Sequence, residues 1–416
     1  MVKELFSLQA INTIFRALQY RNFRLFFIGQ NISLIGTWMQ NVAIGWMVYR
    51  MTNSAAALGL VSFASQIPSF LITPFSGVFA DRWNKYKVIL ICQVLAMLQA
   101  LVLAVLTILG HIRVWEVAVL GMTLGLISSL EIPTRHAFLV EMVDRKEDLS
   151  NAIALNSLMF NAARLIGPTI AGLLIGIWSE GVCFFVNALS YVAVIWAMWL
   201  MRIKPKRQNG ATGRPFQELK AGIAYTFGSS PRRSVLFLVG LMSLIAMSQS
   251  VLMPVFARDV LKGGPSTLGF LVGSVGMGAL VGAAYIASHR NTDRMLNMIP
   301  IAAGLFGISL ILLSFSKILW LSMIILFFAG LGFMFHMVVS NTVLQTITED
   351  DKRGRVMSFY TMAFMGMATF GSLLGGAIAS KIGAPNTVLC GGFLCIGAGL
   401  AFSRRIPALK KKVSFA

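Results

Sequence analysis

The chain has 416 residues, of which 57% are hydrophobic and 12% charged, with a mean hydropathy of +0.77. Soluble domains carry about twice that share of charge, so a soluble enzyme is excluded. Apolar runs near twenty residues recur along the chain instead, the mark of an integral membrane protein. The formal net charge is +20, but the basic residues sit between apolar runs rather than on one folded face. They therefore read as topology signals and not as a nucleic-acid surface.

In chain order, the first 22 residues place Phe6, Ile11, Ile14, Phe15 and Leu18 at helical spacing beside Arg16 and Arg21, without a small-residue cleavage site. This fits an amphipathic helix lying on the membrane surface. Twelve candidate spans follow, at 23–49, 56–80, 87–110, 115–134, 150–178, 181–202, 234–257, 266–288, 295–316, 318–346, 355–380 and 385–404. Each is long enough to cross the hydrocarbon core. The expected fold is all-α, with a first six-helix bundle over 23–202, a cytoplasmic linker over 203–232 rich in basic residues, Pro and Gly, a second bundle over 233–405 and a basic tail over 406–416. Sorted by loop, 28 of the 35 Lys and Arg fall on the side that holds both termini, and six on the other. That asymmetry predicts cytoplasmic termini in a multi-pass inner-membrane protein.

The halves show internal similarity. Residues 143–181 and 347–385 align at a constant offset of 204, pairing Gly167 with Gly371, Gly172 with Gly376 and Val143 with Ile347. "ALGL" (57–60) and "TLGF" (267–270) align at 210. Repeats in the same direction imply two bundles related by an axis along the membrane normal.

Polar groups inside spans need partners or a cavity. In the first span, Gln30, Ser33, Thr37, Gln40 and Asn41 fall within about a 100° sector, a stripe expected to line a cavity or to bond neighbouring helices. In the fourth, Glu131 and Arg135 are spaced i, i+4 in the order that favours an ion pair. They either anchor the helix end or supply a protonatable carboxylate for coupling. In the fifth, Arg164 lies about 21 Å along a helix that starts near 150, with Asn161 and Asn156 before it. It reads as a contact to an anionic or carbonyl-rich substrate or an internal counter-charge, or else as a tether to helix-end carbonyls. In the tenth, His336 and Ser340 share a face, as do Asn341 and Gln345, and these are further cavity candidates; a lone His is more often a bonded core residue than a titrating switch. Gly167 and Pro168 permit a bend, and Gly172, Gly371 and Gly376 permit close helix approach.

Other chemistry is not expected. Cys92, Cys183, Cys390 and Cys395 lie inside apolar runs without ligand spacing, and the 23 methionines, Met362, Met365 and Met367 among them, join no Cys or His cluster. Neither a metal nor a cofactor is implied. The absence of a P-loop, G-x-S-x-G and H-E-x-x-H speaks against enzymatic activity.

One loop is more specific. "GVFADRWNKYK" (77–87) joins the second and third spans with Gly77, Asp81, Arg82, Lys85 and Lys87. An acid at a helix end beside a basic loop can form a contact in one conformation and break it in another. This stretch resembles the signature loop of the major facilitator superfamily, and that resemblance implies a latch in which Asp81 and Arg82 brace the second helix against the eleventh. Asn84 stands where the family has glycine, Tyr86 interrupts the basic pair, and the second copy is reduced to "SHRNTDR" (288–294). "RLIGPTIAGLL" (164–174) resembles the helix 5 motif of antiporters, with Ala163 in place of a glycine. "GTWMQ" (36–40), "PTRHAF" (133–138), "LSNAIALNS" (149–157) and "RGRVMS" (353–358) are similar to the branch that holds enterobactin exporters and macrolide-efflux proteins. The resemblance implies a monomeric, proton-coupled exporter of amphipathic small molecules such as siderophores or drugs, working by alternating access in the bilayer without nucleic acid. Lysophospholipid translocation on the same fold is the alternative, and a membrane sensor or scaffold a third reading.

Overall fold

The structure, a computed structural model, describes residues 15–202, 225–288, 292–349 and 352–406. Among these residues the chain forms twelve long helices: α1 Arg21–Thr52, α2 Ala55–Arg82, α3 Lys85–Ile108, α4 Val114–Leu139, α5 Lys146–Ile177, α6 Glu180–Trp199, α7 Ser230–Val251, α8 Pro265–Ser288, α9 Thr292–Phe315, α10 Leu319–Thr346, α11 Arg353–Ile382 and α12 Ala384–Ser403. Eleven are long and apolar enough to cross a membrane on composition alone. The remaining one, α1, has 32 residues and therefore runs about 48 Å; its polar stripe lowers its hydropathy, and its neighbours cover that stripe.

Two spans differ from expectation. The fourth was expected to stop at 134, but α4 continues through Pro133 to Leu139. A proline removes one helical donor, and inside a bundle neighbouring groups absorb that loss. The seventh was expected to be continuous to 257. Instead α7 ends at Val251 and is followed by a short turn, Met253–Val255, and a π-helical turn, Phe256–Val260. There the Leu261 amide donates to the Phe256 carbonyl at 2.9 Å and the Gly263 amide to Ala257 at 2.8 Å. Of the amphipathic N-terminal segment, the described part is a 3-10 turn, Arg16–Gln19, pinned to the start of α5. The buried Asp148 carboxylate accepts from Tyr20 Oη (2.7 Å) and Gln19 Nε2 (3.2 Å) and pairs with Arg16 (2.7 Å).

Packing follows one pattern twice. In the first six helices α2 packs on α4, α1 on α5 and α6, and α3 on α4 and α6. In the second six α8 packs on α10, α7 on α11 and α12, and α9 on α10 and α12. The halves meet chiefly through α5 on α8 and α2 on α11, which exchange under the same relation. In lipid no hydrophobic force drives helices together, so close approach over small residues must supply the contact. A Cβ on Gly172 would stand 3.0 Å from Gly269 Cα, and one on Gly59 would stand 3.0 Å from Gly376 Cα. These crossings leave room for hydrogen atoms alone.

Candidate functional site

Both glycine crossings lie toward the end away from the termini, here called the distal end. A third cross-half contact joins them there. Tyr49 near the end of α1 donates its hydroxyl to Asp259 in the π-turn, Arg258 Nη1 donates to Asn53 Oδ1 at 2.8 Å, and the Arg258 guanidinium lies 5.9 Å from the centre of the Tyr49 ring. Ser266 Oγ donates to the Gly172 carbonyl at 3.2 Å. Toward the terminal end, the described bonds run within one half or the other: Lys85 to Glu141 (2.5 Å), Asn22 to the Arg202 carbonyl (2.9 Å), Arg405 to Ser234 (3.1 Å), and Lys352 to Glu349. Outside the spanning segments, Asp148 pushes the Tyr20 phenol upward by accepting its hydrogen bond, and Lys352 holds the Glu349 carboxyl below its ordinary range. Among the described residues, the cross-half bonds gather at the distal end and those at the terminal end stay within halves.

Arg164 lies eight residues before Gly172, about 12 Å along α5 from the distal crossing. Ser157, Phe160, Asn161 and Arg164 fall within about a 100° sector of α5, and all are half-exposed or exposed. Polar exposure at this depth marks a cavity wall. The guanidinium lies 5.7 Å from the centre of the Trp38 ring, and Trp38 meets Phe160 edge-on at 5.7 Å. Gly167 makes this possible: a Cβ there would come within 2.6 Å of Trp38 Cβ, so α1 could not approach. Pro168 lacks the N–H that would bond the Arg164 carbonyl, and Gly276 of α8 closes over that oxygen, where a Cβ would stand 3.0 Å away. Among the described residues the guanidinium donates no side-chain hydrogen bond, and its partner is the Trp38 ring. Asn161 donates to Ser157 O at 2.9 Å. Asn156 lies 80° around the helix from Arg164, is buried, and leaves its Oδ1 unpartnered; it belongs to the bundle interior instead.

The α1 stripe divides. Gln30, Ser33 and Gln40 are buried. Gln40 donates to Gln99 of α3 at 3.1 Å and accepts from Asn187 of α6 at 2.8 Å, while Ser190 donates to Asn187 Oδ1 at 3.1 Å. Gly36 leaves space for that network, since a Cβ there would lie 2.5 Å from Ser190 Oγ. Thr37 bonds the Ser33 carbonyl (2.9 Å) and the Tyr191 hydroxyl (3.2 Å). Of the five residues expected to line a cavity, Gln40 and Thr37 make interhelical bonds, Gln30 and Ser33 are buried with Gln30 Oε1 unpartnered among the described residues, and Asn41 alone is exposed, four positions before Gly45, where a Cβ would stand 3.5 Å from Pro254 of the second half.

Glu131 and Arg135 form the expected pair at 3.3 Å, with side chains 12% and 5% exposed. They lie near Cys92 of α3 and Tyr191 of α6, inside the first half. His336 and Ser340 are fully buried, with no side-chain hydrogen bond among the described residues, a core setting. Gln345 donates to Asn341 at 2.6 Å on a more open face of α10. Gly371 accommodates Leu244 of α7, and Gly376 the Ala55 carbonyl, so both serve approach. The backbone of α2 continues to Arg82, while the side chains of Asp81 and Arg82, and Gly77 with them, lie outside the described residues. Lys85 pairs with Glu141, Lys87 is exposed, and Asn84, the departure from the family loop, caps α3 by accepting from the Lys87 amide at 3.2 Å. A purely apolar crevice of about 350 Å³ between α1 and α6, lined by Ile28, Ile32 and Trp196 among others, lies on the outer face away from Arg164. Among the described residues no group of His, Cys, Asp and Glu could hold a metal.

Two six-helix halves with repeated packing, meeting through α5 on α8 and α2 on α11, form the architecture of a carrier. Residues 12–415 match the model of a family described as transmembrane secretion effector, within the major facilitator superfamily. The chain belongs to that family. Among curated relatives, the staphyloferrin A transporter of Staphylococcus aureus is 26% identical over 94% of this chain and 98% of its own length. Macrolide efflux protein A of Streptococcus pyogenes is 23% identical over 91% and 95%. The enterobactin exporter of Shigella boydii is 26% identical over 88% and 86%. Among solved structures, a bacterial homologue of the human lysosomal transporter Spinster, in an inward-facing and occupied conformation, superposes with a TM-score of 0.75 at 13% identity, covering 94% of this chain and 98% of that one. The fold expected from the sequence is the fold found. This family member is a multi-pass membrane transporter and not an enzyme.

Proposed function

We propose that this chain is a proton-coupled exporter of amphipathic small molecules such as siderophores or drugs, working as a monomer by alternating access between its two six-helix halves, with both termini in the cytoplasm. The observation that carries the reading is the asymmetry of cross-half contacts. The distal end is held by two glycine crossings and the Tyr49–Asp259 bond, while the described bonds at the terminal end stay within halves. That asymmetry supports the reading of a carrier that loads from the terminal end. The direction is supported by relatives that carry efflux or export in their names and by the helix 5 motif. The loading side is the cytoplasm if the basic loops follow the usual rule. In this cycle Asp81 and Arg82 act as the terminal-end latch of the opposite state, with Gly77, Lys85 and Lys87 shaping the loop.

Glu131 is the proposed coupling carboxylate. It is nearly buried beside Arg135, where gain or loss of a proton changes the balance of a desolvated pair. The test is efflux of a catecholate siderophore, a macrolide and a fluorescent dye from energised vesicles, with and without a protonophore, for wild type and Glu131→Gln. Protonophore-sensitive efflux lost in the variant supports the whole reading. Protonophore-sensitive efflux that survives in the variant removes Glu131 from the coupling step. Failure to move any compound rejects export of this class and directs attention to labelled lysophospholipids.

A further inference from the structure

We infer that Arg164, Trp38 and Phe160 form a subsite for a flat aromatic ring carrying an anionic group, and that the carrier selects such anions over neutral and cationic rings of the same shape. The inference rests on the transporter reading and specifies what its cavity holds.

The first argument is charge. A cation in mid-bundle is costly unless something compensates it. Five described carboxylates are engaged elsewhere: Glu131 with Arg135, Glu180 with Arg50, Asp148 with Arg16, Glu141 with Lys85, and Asp259 with Tyr49. None of them pairs with Arg164. The fold gives Arg164 an aromatic face and leaves its five donors without a protein acceptor among the described residues. An anion from outside the chain supplies what the bundle withholds.

The second argument is shape. Trp38 and Phe160 meet edge-to-face beside the guanidinium, and Phe160 is 41% exposed. An aromatic edge exposed beside a cation offers one wall for a ring and one donor fork for its charge, and a planar guanidinium suits a planar carboxylate. The third argument is rigidity. Gly167 seats Trp38 against α5, and Gly276 of the second half covers the Arg164 carbonyl, so the subsite is mounted where the halves meet. The polar residues on the same faces are neutral: Asn161 on the α5 strip and Asn41 on the Trp38 face of α1. They accommodate hydroxyl or carbonyl substituents but offer a cationic ligand no counter-charge.

The test uses the full chain in lipid nanodiscs and three rings of one shape, 2-naphthoate, 2-naphthamide and 2-naphthylmethylammonium, with binding measured by equilibrium dialysis. A charge-assisted bond predicts naphthoate about tenfold or more tighter than the amide, with the ammonium weakest. Arg164→Gln should erase the preference of naphthoate over the amide, and Arg164→Lys should keep part of it, since the charge stays while the fork is lost. Trp38→Leu should weaken all three together and leave their order unchanged. Equal binding of naphthoate and amide to the wild-type protein overturns the inference, and this arm requires no variant to fold. So does failure of wild type to bind any of them, or a preference that persists in Arg164→Gln. Export is read separately with the compounds above: efflux without charge selection keeps the exporter and removes the subsite, whereas naphthoate binding without efflux does the reverse.

Discussion

Replacing Tyr49 by phenylalanine deletes one hydroxyl from the distal closure and changes nothing else in shape. That hydroxyl donates to the Asp259 carboxylate across the two halves, and Tyr49 itself is 4% exposed. A hydrogen bond to a charged acceptor contributes about 1.5–3 kcal/mol, but Asp259 is exposed and recovers water when the partner goes, so the lower end applies. About 1.4 kcal/mol is a tenfold change in the closed-to-open ratio. A distally open state held at about 5% would rise to roughly a third. Spin labels at exposed distal positions such as Lys317 and Arg113, with the exposed Cys390 replaced by serine, would report this by double electron–electron resonance as a longer-distance population. Asp259→Asn keeps a neutral acceptor and should shift the ratio about half as far in free energy. The double variant should do little more than Tyr49→Phe, since both changes act on one bond. An unchanged distance distribution in Tyr49→Phe, or strictly additive effects, would refute a gating role for this contact.

Three further outcomes follow from the same geometry. Gly376→Val places a branched side chain where a Cβ alone would meet the Ala55 carbonyl at 2.5 Å; it should hold the distal seam apart and reduce transport severalfold at normal membrane abundance, measured by efflux against immunoblot. Arg135→Gln strands the buried Glu131 and should destabilise the first half by about 3–5 kcal/mol, while Glu131→Gln with Arg135→Gln should recover much of that loss in thermal unfolding. Gln40→Leu leaves Gln99 Oε1 and Asn187 Nδ2 unpartnered, at about 1–3 kcal/mol each, and should lower the unfolding temperature without altering the order of substrate preference, as read from competition binding.

How much of this was visible in the chain differs by level. The spans were legible because lipid demands a long apolar run, and most observed ends fall within a few residues of expectation. The fourth span runs past its expected end at 134, since a proline at 133 breaks a helix less readily inside a bundle. The first-span stripe was correctly seen as turned away from lipid, but period 3.6 says only which residues share a face, not which helix that face meets. Gln40 found Gln99 and Asn187 on two other spans, and no local pattern links residues on different helices. The Glu131–Arg135 pair was legible because it is local. Tyr49 and Asp259, 210 positions apart, were not. Trp38 went unseen for a different reason: an aromatic in an apolar run looks like packing until the arginine beside it is placed. Asn84 was noted as a departure, and its role as a helix cap explains why the loop tolerates it.

The two glycine crossings also determine how the molecule can move. Two points of contact define a line, and rigid bodies that touch along a line can rock about it. From Gly172 to the start of α5 at Lys146 is about 39 Å at the helical rise, so a 10° rotation about that line swings the far end by roughly 7 Å, enough to admit or expel a ring-sized molecule. The lever is long and its fulcrum is bare backbone. A methyl group added at the fulcrum would act as a shim, and the same leverage that opens the mouth would multiply its thickness at the far end. Arg164 lies eight residues, about 12 Å, from Gly172, close to the axis where displacement is small, so a bound ion there would stay nearly still while the walls around it change sides.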